Sequence, residues 1–288
     1  AMMRSDFKDP ETVTVACKAG MNDDPHHGHL DVGQFMVNWR GQAYVSDLGS
    51  GKYFYDEKYF DEIRWKYPTA GSEGHNLIFV NGECQLSAKY KNKPWTPGIG
   101  GKILEFRTSP VRDYTLMDNA DAYAKTHLKG WRRHIVLDKP VMTVVLDEVT
   151  CAPGAEIEAR FHSDAKITVF EKFTLLKGDK GLMAIIPVAE TPVVMKAGSQ
   201  SYTPVRKDAE LVVIPSAGAF VTAKGPVTRI ASIVLPVNDE TEAAGIQKSV
   251  KRKSSADAFS LSFKKGGKPS RTPSPERTGS CWRSDRWA

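Results

Sequence analysis

Long apolar runs are missing from this sequence. No stretch approaches the roughly 18 consecutive apolar residues that a membrane-spanning helix needs, and the mean hydropathy is -0.38 with 26% charged residues, so no membrane span is expected. The opening residues Ala1-Met-Met-Arg-Ser-Asp-Phe-Lys-Asp-Pro10 lack the apolar centre of a secretory signal. Cysteine is scarce: Cys17, Cys84, Cys151 and Cys281 are too few and too far apart for a zinc ribbon or a disulfide-dense module. Helical periodicity is scarce too, with brief candidates only at 57–66 and 118–125. Gly98-Ile-Gly-Gly101 is followed by Lys102 but then by Ile103 where a phosphate loop has Ser/Thr, which removes the usual sequence ground for nucleotide chemistry.

Basic charge is present but badly distributed for a nucleic-acid binder. Residues 248–288 hold 11 Lys/Arg and 3 Asp/Glu, a net of +8, so the chain total of +6 leaves -2 for residues 1–247. The globular part is therefore not basic, and no nucleic-acid partner is expected. The same stretch is rich in serine and contains Pro269-Ser-Arg-Thr-Pro-Ser-Pro275. Such a composition buries too little apolar surface to offset chain entropy, which predicts a domain over 1–246 and a disordered basic tail over 247–288.

What fills the remainder is strands. Phe35-Met-Val-Asn-Trp39, Gln42-Ala-Tyr-Val45, Leu77-Ile-Phe-Val80, Val141-Met-Thr-Val-Val-Leu146, Leu182-Met-Ala-Ile-Ile186 and Arg229-Ile-Ala-Ser-Ile-Val-Leu235 are short and rich in β-branched residues. Arg40-Gly41, Asn81-Gly82 and Asp138-Lys-Pro140 sit between such runs as hairpin signals. Many short strands with turns between them predict an all-β fold, an antiparallel β-sandwich.

Three of the seven histidines crowd into His26-His-Gly-His29, with Asp31 following. Residues two apart on an extended segment share a side, so His27, His29 and Asp31 face one way. The hairpin around Arg40-Gly41 returns the chain toward them at Asp47, and His75 precedes another strand. Two imidazoles and a carboxylate, His29, His75 and Asp47, make a zinc site with a fourth position open to water or an acidic group. Arg64 and Tyr67 lie in a segment crowded with Tyr53, Phe54, Tyr55, Tyr59, Phe60 and Trp65. Aromatic faces stack on sugars and arginine pairs with carboxylates and sulfates, so Arg64 and Tyr67 are expected on a substrate wall, while the aromatics as a group are read as packing. His127, His134 and His162 are read as ordinary strand or loop residues.

The string His27-Gly-His-Leu-Asp-Val-Gly-Gln-Phe35, then Trp39-Arg-Gly-Gln-Ala-Tyr-Val-Ser-Asp-Leu-Gly49, Tyr53, Arg64, Gly74-His-Asn76 and Val80-Asn-Gly-Glu-Cys-Gln85 resembles the C-terminal β-domain of heparinase II/III-like polysaccharide lyases. The resemblance is strong over residues 13–85, weaker through 131–148 and 161–162, and is not expected beyond 240. Gln34 stands where the family pattern usually has Ser, at a position expected to be partly exposed.

The resemblance implies β-elimination on a uronic-acid-containing glycan of the heparin, heparan sulfate or alginate type. A base removes the C5 proton, the uronate carboxylate is neutralised, and the O4 leaving group is protonated. His27 matches the catalytic histidine, and its ordinary pKa of about 6.5 suits proton transfer near neutral pH. His29, Asp47 and His75 match metal ligands, the zinc being structural. Arg64 also matches a family position. The family's tyrosine and the groups that neutralise the carboxylate come from an N-terminal α/α toroid absent from this chain, whose abrupt entry into the strand at Val13-Thr-Val-Ala-Cys-Lys18 is read as the β-half of a longer design. An acidic polysaccharide and that toroid are the implied partners, a periplasmic or secreted location is implied, and the isolated chain is expected to be weakly active or inactive. A non-catalytic carbohydrate-binding sandwich is the alternative.

Overall fold

The computed structural model describes residues 1–22, 28–48, 64–86, 99–203, 210–255, 258–265, 268–271 and 282–283. The strands in chain order are β1 (Met2–Arg4), β2 (Thr14–Cys17), β3 (Phe35–Trp39), β4 (Gln42–Val45), β5 (Ile78–Val80), β6 (Lys102–Thr108), β7 (Arg112–Asp118), β8 (Gly130–Asp138), β9 (Met142–Thr150) and β10 (Glu156–His162). There follow β11 (Lys166–Val169), β12 (Thr174–Gly178), β13 (Gly181–Ala189), β14 (Val193–Tyr202), β15 (Val212–Thr222) and β16 (Val227–Val237). Helix α1 (Glu240–Ser249) then leads into β17 (Lys251–Ser254), β18 (Ala258–Lys265), β19 (Lys268–Arg271) and β20 (Trp282–Arg283).

An eight-stranded sheet, in the order β11-β12-β13-β16-β9-β8-β7-β6, is the spine. Two four-stranded sheets, β1-β2-β3-β4 and β14-β15-β10-β5, bury their apolar faces with its inner face in one core. All of the strand pairings are antiparallel, as the sequence predicts. The Arg40-Gly41 hairpin forms as expected, with both residues at positive φ, 53° and 69°, and Trp39 opposite Gln42. This two-residue geometry matches the right-handed strand twist.

The spine of this all-β antiparallel fold is covered on its second face as well. Ile135, Val145, Ile185 and Val234 point into the inner core, while Val136, Val144, Ile186 and Ile233 from the same strands belong to a second core. That is why these strands read as continuous apolar runs rather than alternating ones. The second cover is built from α1 and β18, through Ala243, Ile246, Phe259, Leu261 and Phe263, all buried. Of the residues expected to begin a disordered tail, 247–255 and 258–265 instead form the end of α1, β17 and β18. The missed signal is the alternation Phe259-Ser-Leu-Ser-Phe263, whose apolar members share one face. Residues 256–257, 266–267, 272–281 and 284–288 of the expected tail lie outside the described residues.

The helical candidates also resolve differently. The part of 57–66 that is described, Arg64–Lys66, is a single 3-10 turn, and 118–125 holds the end of β7 and a 3-10 turn at Ala120–Ala122. At the far end of the spine β6 is exposed on both faces, with Ile103, Leu104 and Phe106 all 43% exposed or more.

Leu261→Ala is expected to lower unfolding free energy by about 2–4 kcal/mol, the usual range for truncating a buried leucine, read from the midpoint of urea unfolding. An unchanged midpoint would mean that β18 does not cover the spine.

A candidate histidine site on two turns

The loop from β2 into β3 carries His29 and Asp31. It is closed at its base by backbone bonds, Lys18 N to Gln34 O at 2.8 Å and Gly33 N to Lys18 O at 2.8 Å. Gly33 has φ +89°, and a Cβ there would sit 2.4 Å from the Trp131 ring. Only glycine fits, on both conformational and steric grounds. Asp31 accepts from Lys18 Nζ at 2.6 and 2.8 Å.

The second turn carries His75, which follows the 3-10 turn Ser72–Gly74. Gly74 packs so tightly that a Cβ would lie 2.0 Å from the Pro68 carbonyl. His75 is fully buried; its Nδ1 lies 3.0 Å from Asp47 Oδ1, and its Nε2 has no hydrogen-bond partner. Asn76 ties this turn to three strands. Its Nδ2 donates to the Phe35 and Ser46 carbonyls, both at 2.9 Å, its Oδ1 accepts from His162 N at 2.6 Å, and its N–H donates to Gln34 Oε1 at 2.5 Å.

The two turns meet. The His29 and His75 rings are 5.4 Å apart between centroids. Candidate ligand atoms of His29, Asp31 and His75 all lie within 4.8 Å of one another, while Asp47 joins the group through His75. Burial, followed by the nearby His75, pushes the His29 imidazole down to about 4, so it is neutral at pH 7. In His75 burial is the largest single effect and opposes the cation, but the charge and hydrogen bond of Asp47, with Asp31 behind, outweigh it and raise the pKa. A neutral imidazole, carboxylates and a buried ring nitrogen without a partner are a donor set that suits a zinc-type ion.

Several expectations change in detail. His27 lies outside the described residues, as do Tyr53, Phe54, Tyr55, Tyr59 and Phe60. Arg64 and Tyr67, expected on a substrate wall, are instead buried at 2% and 7% exposure. Arg64 donates through Nε and Nη2 to the Gly28 carbonyl at 3.2 and 2.8 Å, gripping the turn just before His29. Tyr67 packs with Ala70 and Trp65. Gln34 is buried, not partly exposed, because its side-chain carbonyl caps Asn76 N. His162 and His134 are strand residues, as expected, and His134 bridges Tyr114 Oη at 3.0 Å and Glu148 at 3.3 Å.

The family model described as heparinase II/III-like, C-terminal, matches residues 3–266. The chain belongs to this family. The match runs past residue 240 through α1 and β18, where no similarity was expected. Among solved structures, the heparan sulfate lyase HepC from Pedobacter heparinus superposes with a TM-score of 0.68 at 15% identity, over 93% of this chain and 40% of that one. A heparinase III, the BT4657 gene product, gives 0.67 at 14% identity over 93% and 40%. At such identity these likenesses establish the fold. The chain spans about two fifths of the length of these structures. No curated protein sequence matches it.

The two histidines of this heparinase II/III-like site have opposite linkage to stability. His29 titrates at about 4 when folded and at about 6.5 when unfolded; between these values the unfolded chain binds more protons, so stability falls as pH drops through that window. His75, raised when folded, contributes stability below about pH 6.5 that is lost as pH rises through its folded pKa. In chelator-treated protein, His29→Gln is expected to flatten the acid-side slope and His75→Gln the neutral-side slope, measured by urea unfolding across pH 4 to 8. Parallel curves for wild type and variants would contradict both assignments.

Proposed function

We propose that this chain is the β-domain of a polysaccharide lyase that cleaves uronic-acid-containing glycans, of the heparin, heparan sulfate or alginate type, by β-elimination. The family match over residues 3–266 carries the reading, and the convergence of His29, Asp31 and His75, with Asp47 bonded to His75, supports it. His27 is the proton-transfer residue, by its match to the family motif. An extracytoplasmic location, periplasmic or secreted, goes with such a substrate. Among the described residues no helix is long and apolar enough to cross a membrane.

In this reading His29, Asp47 and His75 hold zinc, and Asp31 is the acidic group at the fourth position. Four protein ligands make a closed, structural site. The ion would supply a fixed cross-link between the two turns, and the chemistry stays with side chains. His27, two residues before His29, takes or returns a proton at the sugar ring. Arg64 steadies the Gly28 carbonyl between those histidines. The remaining tasks, neutralising the uronate carboxylate and completing the acid/base pair, fall to a helical partner domain facing this one. Elimination needs all these groups in one cleft, because positioning and electrostatic stabilisation together supply several kcal/mol of barrier lowering.

Two measurements test this. Elemental analysis is expected to find zinc in the purified chain and to lose it in His29→Ala; unchanged zinc in that variant would remove His29 from the ligand set. Absorbance of the unsaturated product is expected to stay flat when the chain alone meets heparan sulfate, heparin or alginate, and to rise when a matching helical domain is added, less so with His27→Ala. Robust turnover by the chain alone, abolished by His27→Ala, would place the whole acid/base machinery in this domain.

A further inference from the structure

We propose that Arg133 is the positioning residue of the histidine site, a single buried guanidinium that fixes the His29 turn and the His75 turn relative to each other. Nothing in the chemistry of the motif points to it, since it lies on β8, in the middle of the spine.

Arg133 is 1% exposed and faces the inner core, opposite Asp147 of β9 in the strand register. Its Nε donates to Asp147 Oδ1 at 2.7 Å and its Nη2 to Oδ2 at 3.0 Å. Trp131 Nε1 donates to the same carboxylate at 2.8 Å. The guanidinium carbon lies 5.0 Å from the Phe35 ring centroid and 4.8 Å from that of Trp131, so apolar faces hold its plane. With Nε and Nη2 committed, Nη1 points away from Asp147. It donates to the Gly33 carbonyl at 2.7 Å and to the Asn76 carbonyl at 2.6 Å.

Those two carbonyls decide the site's geometry. Gly33 closes the loop that carries His29 and Asp31, and Asn76 directly follows His75. Both peptide groups are thus bonded to one nitrogen atom, whose direction is set by a bidentate ion pair on a rigid strand. A planar fork of fixed donors is needed for this, and an ammonium group cannot reproduce it. Lysine at 133 would keep the charge that Asp147 requires but would release at least one carbonyl.

As a statement about metal binding the proposal rests on the zinc reading above; as a statement about the two histidines it does not. The test uses the full chain as wild type, Arg133→Lys, Asp147→Asn, and Ile233→Val as a control in the second core, on the other face of the spine. Competition against a chromophoric chelator reads zinc affinity, and histidine ring signals in metal-free protein read the site directly. Arg133→Lys is expected to weaken zinc binding about 10-fold or more, as loss of groups that orient ligands does, and to shift the His29 and His75 ring signals. Asp147→Asn is expected to shift the same signals, and Ile233→Val to lower stability while moving neither readout. Wild-type zinc affinity and unshifted rings in Arg133→Lys would overturn the proposal. If wild type binds no zinc, the metal reading fails, and the ring signals alone decide: shifted ones uphold Arg133 as the positioning residue, unshifted ones overturn it.

Discussion

The ion pair between Arg133 and Asp147 is the constraint around which the domain is arranged. Both side chains are 2% exposed or less. A charge so far from water is tolerable only when its partner and the remaining hydrogen-bonding sites are all supplied, and removing one member of such a pair typically costs about 3–5 kcal/mol. Here the requirement is met by recruiting backbone from outside the sheet. The carbonyls of Gly33 and Asn76 satisfy the guanidinium, and the indole of Trp131 completes the carboxylate. Satisfying a buried charge and assembling a site from two distant turns are, in this fold, one operation.

Trp131 shows how tightly packing and polarity are joined. Its ring lies so close to Gly33 that no other residue fits there, and its edge packs T-shaped against Tyr123 at 5.4 Å between centroids. Tyr123 in turn donates to the Ile78 carbonyl on β5. The glycine of the histidine motif is therefore a packing requirement of the spine as much as a turn requirement of the loop. Gln85 extends the same logic, accepting from Asn22 and Val32 and donating to the Val32 carbonyl, which pins both ends of the loop to the segment after β5.

Much of this was legible in the sequence, and the exceptions have physical causes. Strands such as Phe35–Trp39 and Met142–Thr150 were visible because β-branched runs are bounded by turn residues whose geometry is restrictive. β6, β7 and β10 were hidden, since Lys102–Thr108, Arg112–Asp118 and Glu156–His162 are laced with charges that mask a strand pattern. Helix α1 is marked in the sequence only by its polar start: Asp239 caps Glu242 N at 2.8 Å and Glu242 reaches back to Asn238 N at 2.7 Å. At the site, His29, Asp31, Asp47 and His75 stood out because their spacing is local or follows a hairpin. Arg133 and Asp147 did not, because the groups they serve are as much as 100 residues away, a separation that no spacing argument spans. Arg64 stands out in the sequence by its charge but acts from a buried position on the Gly28 carbonyl, a distinction composition alone does not make.

The last strand of the spine places a condition on how the domain can exist alone. β6 is exposed on both faces and bears Ile103, Leu104 and Phe106 half in water, and among the described residues nothing pairs with its outer edge. Unpaired N–H and C=O groups beside apolar side chains form a template for strand addition. A strand of a partner, or a second copy of β6, is the kind of neighbour that such an edge accepts.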